Sequence, residues 1–250
     1  MSIASYSFKV EGQQIGYNNR LKLSGLSDLL QIAAWRHAEE LGFGLNEMMA
    51  NDNRTWAMSR IHIQIDKPAA HGDELIVKTW PKKKDRIFAF RDWLVEKDGE
   101  IIARATSTYL LIDLTTRRPI SLTGLYDDTL TEKDTHAIEA PAERIHEVDE
   151  KESKTIESIY TDLDVNDHVN NIRYLDWAQS LMPARFWKER KVDSKSQKFF
   201  IHDEDSEKNL LKLWCLKEAS FKACERLLRN GFWDVKVDKT IVLKDFLKDL

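Results

Sequence analysis

The sequence predicts an α+β fold in which an antiparallel sheet wraps one central helix. Two observations carry this. One long stretch of helical period stands early in the chain, and the segments after it alternate apolar and polar residues instead of continuing the helical pattern. A third observation sets the strand direction: Asp98-Gly99 separates two long apolar segments, and such a pair is a strong signal for a tight antiparallel hairpin.

The elements follow in order. "FKVEGQQIGY" (8–17) reads as an opening strand with a turn near Gly12. "SGLSDLLQIAAWRHAEELGFG" (24–44) reads as a helix, with Leu26, Leu30, Ala33, Ala34, His37, Ala38 and Leu41 on one face and Gly42 as its C-cap. His37 on that face is expected in the core or lining a pocket. "TWAMSRIHIQIDKP" (55–68) alternates, placing Ile61, Ile63 and Ile65 on one side, and "ELIVKTWP" (74–81) is apolar and β-branched. "RIFAFRDWLVEKDGEIIARATSTYLLIDLTTRRP" (86–119) supplies the two strands joined at Asp98-Gly99. One helix and four following strands bury both apolar faces most economically when the sheet curls round the helix, giving a first domain over residues 1–140.

Beyond it "IHEVDEKESKTIES" (145–158) is polar and charged and reads as a connection. "SIYTDLDVNDHVNNIRYLDWAQSLM" (158–182) then repeats the opening pattern of short strand, polar turn and helix, with Ile172, Leu175, Ala178 and Met182 inside. The repeat does not continue into a second run of strands. "KNLLKLWCLKEASFKACERLLRNG" (208–231) is helical, and only "KFFIH", "FWDVKV" and "KTIVL" are strand-like. Residues 141–187 are therefore expected to be a linker and the start of a second, incomplete or divergent unit, and 188–250 a divergent tail.

Composition excludes several classes. The 250 residues are 42% hydrophobic and 32% charged with a net charge of −4, which suits a soluble globular protein and gives no global field for nucleic acid. "MSIASYSFKV" lacks the basic and apolar regions of a signal peptide, and no apolar run approaches the roughly 20 residues of a membrane span. Cys215 and Cys224 fall on opposite faces of a helical pattern, which disfavours a disulfide and fits the cytoplasm. No Gly-x-Ser-x-Gly elbow, phosphate loop or dinucleotide fingerprint is present, and His62 and His71 have no metal-ligand spacing, so neither metal nor cofactor is expected.

The chemistry concentrates in "DLDVNDHVNNIRYLDW" (162–177), where Asp164, Asn166 and His168 come two residues apart just before a helix. Histidine can act as a base near neutral pH, and backbone N–H groups at a helix start can stabilise an oxyanion. Asp164 can orient the imidazole and Asn166 can hold water or a carbonyl. The plainer reading is a capped helix, since Asp and Asn are ordinary caps. The basic run "KKKDR" (82–86), with Arg117 and Arg118, reads as a solvated loop, or more sharply as a docking patch for an acidic carrier protein.

These segments, and above all Asp164-x-Asn166-x-His168 followed by Val169-Asn170-Asn171, resemble the acyl-carrier-protein thioesterases. So do "AAWRHAEELGFG", "RTWAMSRIHIQID" and "GDELIVKTWP". The resemblance covers about residues 1–182 and implies two hot-dog folds in tandem, the first shaping an acyl pocket and the second supplying catalytic residues. It assigns Asp164, Asn166 and His168 as catalytic acid, amide and histidine. The family's further carboxylate has no convincing match, since His202, Asp203 and Glu204 stand near the right distance without its flanking sequence. The implied activity is hydrolysis of acyl-acyl-carrier protein to free fatty acid, with the phosphopantetheine-bearing carrier protein as partner and a homodimer possible. The tail, about residues 190–250, resembles a fragment of a 4′-phosphopantetheinyl transferase through "WCLKEASFK", Trp214 to Lys222. That family's upstream Gly-x-Asp-x-Glu strand is missing, so Glu218 is expected to be solvated and not a magnesium ligand. The alternative functions are a catalytically impaired carrier- or acyl-binding protein, and a transferase remnant fused to a thioesterase.

Overall fold

The computed structural model describes residues 3–44, 48, 53–116, 118–125, 130–132, 134–140, 142, 156–164 and 169–180. The chain divides into two compact units, Met1–Glu143 and Arg144–Leu250. In the first, β1 is Ala4–Lys9, α1 Leu23–Glu40, β2 Arg54–Ile65, β3 Glu74–Lys84, β4 Phe88–Lys97 and β5 Glu100–Asp113. The strands form one antiparallel five-stranded sheet in the order β1-β3-β4-β5-β2.

The opening strand lies earlier than expected, at Ala4–Lys9, while the turn near Gly12 forms as a 3-10 turn over Gly12–Gln14. That turn packs against the start of α1 so closely that a Cβ on Gly25 would stand 2.8 Å from the Gln14 carbonyl, which explains a glycine inside the first turns of a helix. Helix α1 buries Leu26, Leu29, Leu30, Ala33, Ala34 and His37, close to the predicted face, and the helix gives way at Leu41-Gly42. It is tied to the sheet by Trp93, whose indole N–H donates to the Leu30 carbonyl at 2.9 Å.

The β4–β5 hairpin forms where predicted. Lys97 pairs with Glu100, and the two residues between them, Asp98 (φ 53°) and Gly99 (φ 80°), both take the left-handed conformation of a two-residue type I′ turn. Strand alternation gives the sheet two buried surfaces. Val77, Thr79, Arg91, Trp93, Val95, Ala105 and Ser107 share the α1 side. Trp80, Lys82, Asp92, Thr106 and Thr108 belong to the opposite side, where Glu132, Thr135, Ala137 and Ile138 bond to β3 and β4. Pro81 is tolerated within β3 because β1 ends opposite Thr79 and the register against β4 shifts at that point.

In the second unit the described residues form a 3-10 turn at Tyr160–Asp162, an antiparallel bridge between Leu163 and Val169, and helix α2, Asn171–Ser180. The expected short strand is thus a tight turn. Everything from residue 181 onward, including Met182, Cys215, Glu218, Cys224 and the helix expected at 208–231, lies outside the described residues.

Candidate active site

The motif sits between two anchored ends. Leu163 and Val169, on either side of residues 164–168 in sequence, form an antiparallel bridge. On the entering side the Asp162 N–H donates to Ile159 O (2.9 Å) and the Leu163 N–H to Tyr160 O (3.3 Å). On the leaving side the Asn170 N–H donates to Asp162 O at 2.7 Å, and the Asn170 side-chain carbonyl accepts the Ile172 N–H at 3.0 Å. That last bond is a side-chain cap on one of the orphan donors of α2. Of the predicted site residues, Asp164 directly follows the bridged Leu163 and is half-buried. Asn166 and His168 lie outside the described residues, as do His202, Asp203 and Glu204.

Asp162, absent from the sequence-based list, joins the entering turn to α2. It is 6% exposed. One carboxylate oxygen accepts the Ile159 N–H at 3.0 Å, and the other is 3.5 Å from Arg173 Nε on α2. Arg173 also donates to Asp176 at 3.3 Å. The signal in the sequence was the first Asp of "DLD", which the Asp-x-Asn-x-His spacing left unassigned.

The first unit carries a polar seam on the α1 side of its sheet. Arg91 Nη1 donates to His37 Nδ1 and to Thr79 Oγ1, both at 3.1 Å. A guanidinium cannot accept, so His37 Nδ1 is the acceptor of this bond. Ser107 Oγ donates to the Arg91 carbonyl at 3.3 Å. Burial pushes the nearby Tyr109 hydroxyl up to about 12, against the lowering pull of Arg91 and of its hydrogen bond with Ser107. At the rim, Tyr6 donates to Glu40 at 2.8 Å, and burial, with the Glu40 carboxylate, raises the Tyr6 pKa as well.

The basic run is solvated as the sequence suggested at Lys83 and Arg86, but not at Lys82. Lys82 belongs to β3, is buried, and lies 3.3 Å from the equally buried Asp92. It also donates to the Ile138 and Glu139 carbonyls. Asp92 accepts the Ala137 N–H at 2.8 Å, so the pair fastens residues 137–139 across the sheet. Lys83, Arg86 and Arg118 are exposed, while Arg117 lies outside the described residues.

Comparison with known proteins decides the family. A sequence model described as "Acyl-ACP thioesterase N-terminal domain" matches residues 3–129, half the chain, and its partner, "Acyl-ACP thioesterase C-terminal domain", matches residues 145–200. The chain belongs to the acyl-ACP thioesterase family. The chloroplastic acyl-[acyl-carrier-protein] hydrolase FATB1 of Cuphea viscosissima is 28% identical over 195 residues, 72% of this chain and 46% of that one. The chloroplastic oleoyl-acyl carrier protein thioesterase 1 of Arabidopsis thaliana is 28% identical over 200 residues, 70% of this chain and 54% of that one. The chain thus spans about half the length of the curated relatives it matches. Among solved structures, an acyl-ACP thioesterase from Bacteroides thetaiotaomicron is 30% identical with a TM-score of 0.67, covering 75% of this chain and 76% of that one. The 12:0-ACP thioesterase of Umbellularia californica is similar in fold, with a TM-score of 0.65 at 22% identity over 75% of this chain and 78% of that one. The sheet wrapped on α1 is accordingly the hot-dog fold of this family. The transferase likeness of the tail is not borne out: the C-terminal thioesterase model runs to residue 200, into the segment assigned to it.

Proposed function

We propose that this chain hydrolyses the thioester of an acyl-acyl-carrier protein, releasing a free fatty acid, with His168 as general base. The observation that carries the reading is where the motif falls. Asp164, Asn166 and His168 lie within the residues matched to the family's C-terminal domain, in a segment closed by the Leu163–Val169 bridge and followed at once by a capped helix. The substrate follows from what the relatives are called: they are hydrolases of acyl-carrier-protein thioesters. The partner is then a carrier protein presenting an acyl chain on its phosphopantetheine thiol.

The chemistry asks for little more than these groups. His168 takes a proton from water, whose oxygen attacks the thioester carbonyl carbon. The carbonyl electrons move to oxygen, where the Asn166 amide is suited to receive the charge. Collapse breaks the C–S bond, and the proton held by His168 passes to the departing thiolate. Asp164 orients the imidazole.

The test is turnover of a panel of acyl-acyl-carrier-protein substrates by the chain and its variants. His168→Ala is expected to cost about 10²–10⁴-fold in kcat, the usual worth of a general base. Asn166→Ala should cost roughly 10²-fold or more, as for one oriented donor. A parent that hydrolyses none of the substrates, or a His168→Ala variant as fast as the parent, defeats the reading.

A further inference from the structure

Asp162 carries more structure than a turn residue needs. Its carboxylate holds the Ile159 N–H (3.0 Å) and faces Arg173 Nε (3.5 Å), while its backbone carbonyl takes the Asn170 N–H (2.7 Å). One buried residue therefore touches the chain before the Leu163–Val169 bridge, the chain just after it, and the first turn of α2. A plain 3-10 turn would be closed by the backbone bonds to Ile159 and Tyr160 alone. A buried carboxylate costs free energy unless each of its oxygens is engaged, and here the engagements are spread over both flanks of one short segment.

From this we infer that Asp162 is a positioning residue for the proposed reaction: it ties Ile159, Asn170 and Arg173 together, and so fastens both flanks of the stretch of sequence that carries Asp164, Asn166 and His168. The inference rests on the function proposed above. Asp162 makes no contact with the reacting atoms in this account. It acts on rate because a base displaced by about 1 Å from its productive place can lose on the order of 10²-fold.

The side-chain oxygen that accepts the Ile159 N–H is the element that can be graded. Asp162→Asn keeps an acceptor of the same reach and gives up only the charge towards Arg173. Asp162→Ser keeps an oxygen one atom shorter, and Asp162→Ala keeps none. Each full-length variant is assayed with acyl-acyl-carrier protein beside the parent and His168→Ala, and its melting curve is recorded.

Positioning predicts a kcat series that falls from parent through Asn and Ser to Ala, reaching a loss of about 10- to 10²-fold, with KM within about threefold of the parent throughout. The loss must persist at temperatures where the variant is fully folded. If Asp162→Ala fails to fold, the Asn and Ser variants still rank the effect. Folded variants whose kcat stays within about twofold of the parent, while only their melting temperature falls, overturn the inference and leave the proposed function standing. A rise in KM at unchanged kcat overturns it as well, since that would be a loss of substrate binding. A parent without activity, or one indifferent to His168→Ala, fails the proposed function and this inference together, and so is told apart from failure of the inference alone.

Discussion

At the scale of single residues, the Lys82–Asp92 pair makes the strongest stability claim. Both side chains are buried, 5% and 0% exposed, so removing either leaves a charge without its partner in a poorly solvated place. Asp92→Ala or Lys82→Ala is expected to lower unfolding free energy by about 3–5 kcal/mol in chemical denaturation. The joint replacement Lys82→Met with Asp92→Leu should cost much less than either, because no buried ion remains. Tyr109 makes a pH claim. Its folded pKa is raised to about 12. Free tyrosine ionises near 10, so the unfolded chain releases this proton first. The contribution of Tyr109 to stability is complete below about pH 10 and is lost as pH rises towards about 12. An alkaline ultraviolet titration should show Tyr109 ionising late, and Tyr109→Phe should flatten stability across that window. Neither residue announced its role in sequence. Lys82 sits in a run that reads as solvent-facing, and the hydroxyl of Tyr109 is perturbed by burial that no local pattern encodes.

Among elements, the β4–β5 hairpin and α2 were the most legible, because each is specified by contacts a few residues apart. Asp98-Gly99 determines the turn type through backbone conformation alone, and the register from Lys97↔Glu100 outward follows from it. Gly99, at φ 80°, is expected to lose about 1 kcal/mol or more on Gly99→Ala, read as a fall in melting temperature. The cap of α2 is equally local. Asn170→Ala removes the acceptor for the Ile172 N–H and should cost the second unit about 0.5–2 kcal/mol, whereas Asn170→Asp should be nearly neutral. β1 was read poorly because its pattern is set by pairing with β3 across some 70 residues, Phe8 to Leu75 and Tyr6 to Val77, and its own few residues say little about where it stops.

For the whole molecule, the division into Met1–Glu143 and Arg144–Leu250 carries a further expectation. The first unit has its own sheet, helix and core, with Trp80, Trp93, Leu30, Leu75 and Leu111 buried. Residues 1–143 expressed alone should therefore fold and unfold in one cooperative transition, followed by circular dichroism against denaturant. They should hydrolyse no acyl thioester, since the proposed base lies in the second unit. Among the described residues no helix is long and apolar enough to cross a membrane.

What the sequence determined by itself is everything governed by period and near neighbours. The central helix and its buried face, the alternating strands, the Asp98-Gly99 turn and the Asp164-Asn166-His168 motif all repeat or act over a few residues, and a linear chain displays such patterns directly. Only the tertiary structure decided the strand order β1-β3-β4-β5-β2, because pairing partners are chosen by which faces can be buried together and not by adjacency. It likewise decided that Arg91 meets His37 from 54 residues away, that Lys82 turns inward to Asp92, and that Asp162 joins Ile159 to α2. Each of these joins polar groups that burial would otherwise leave unpaired, and the need for a partner arises only once the fold has removed the water.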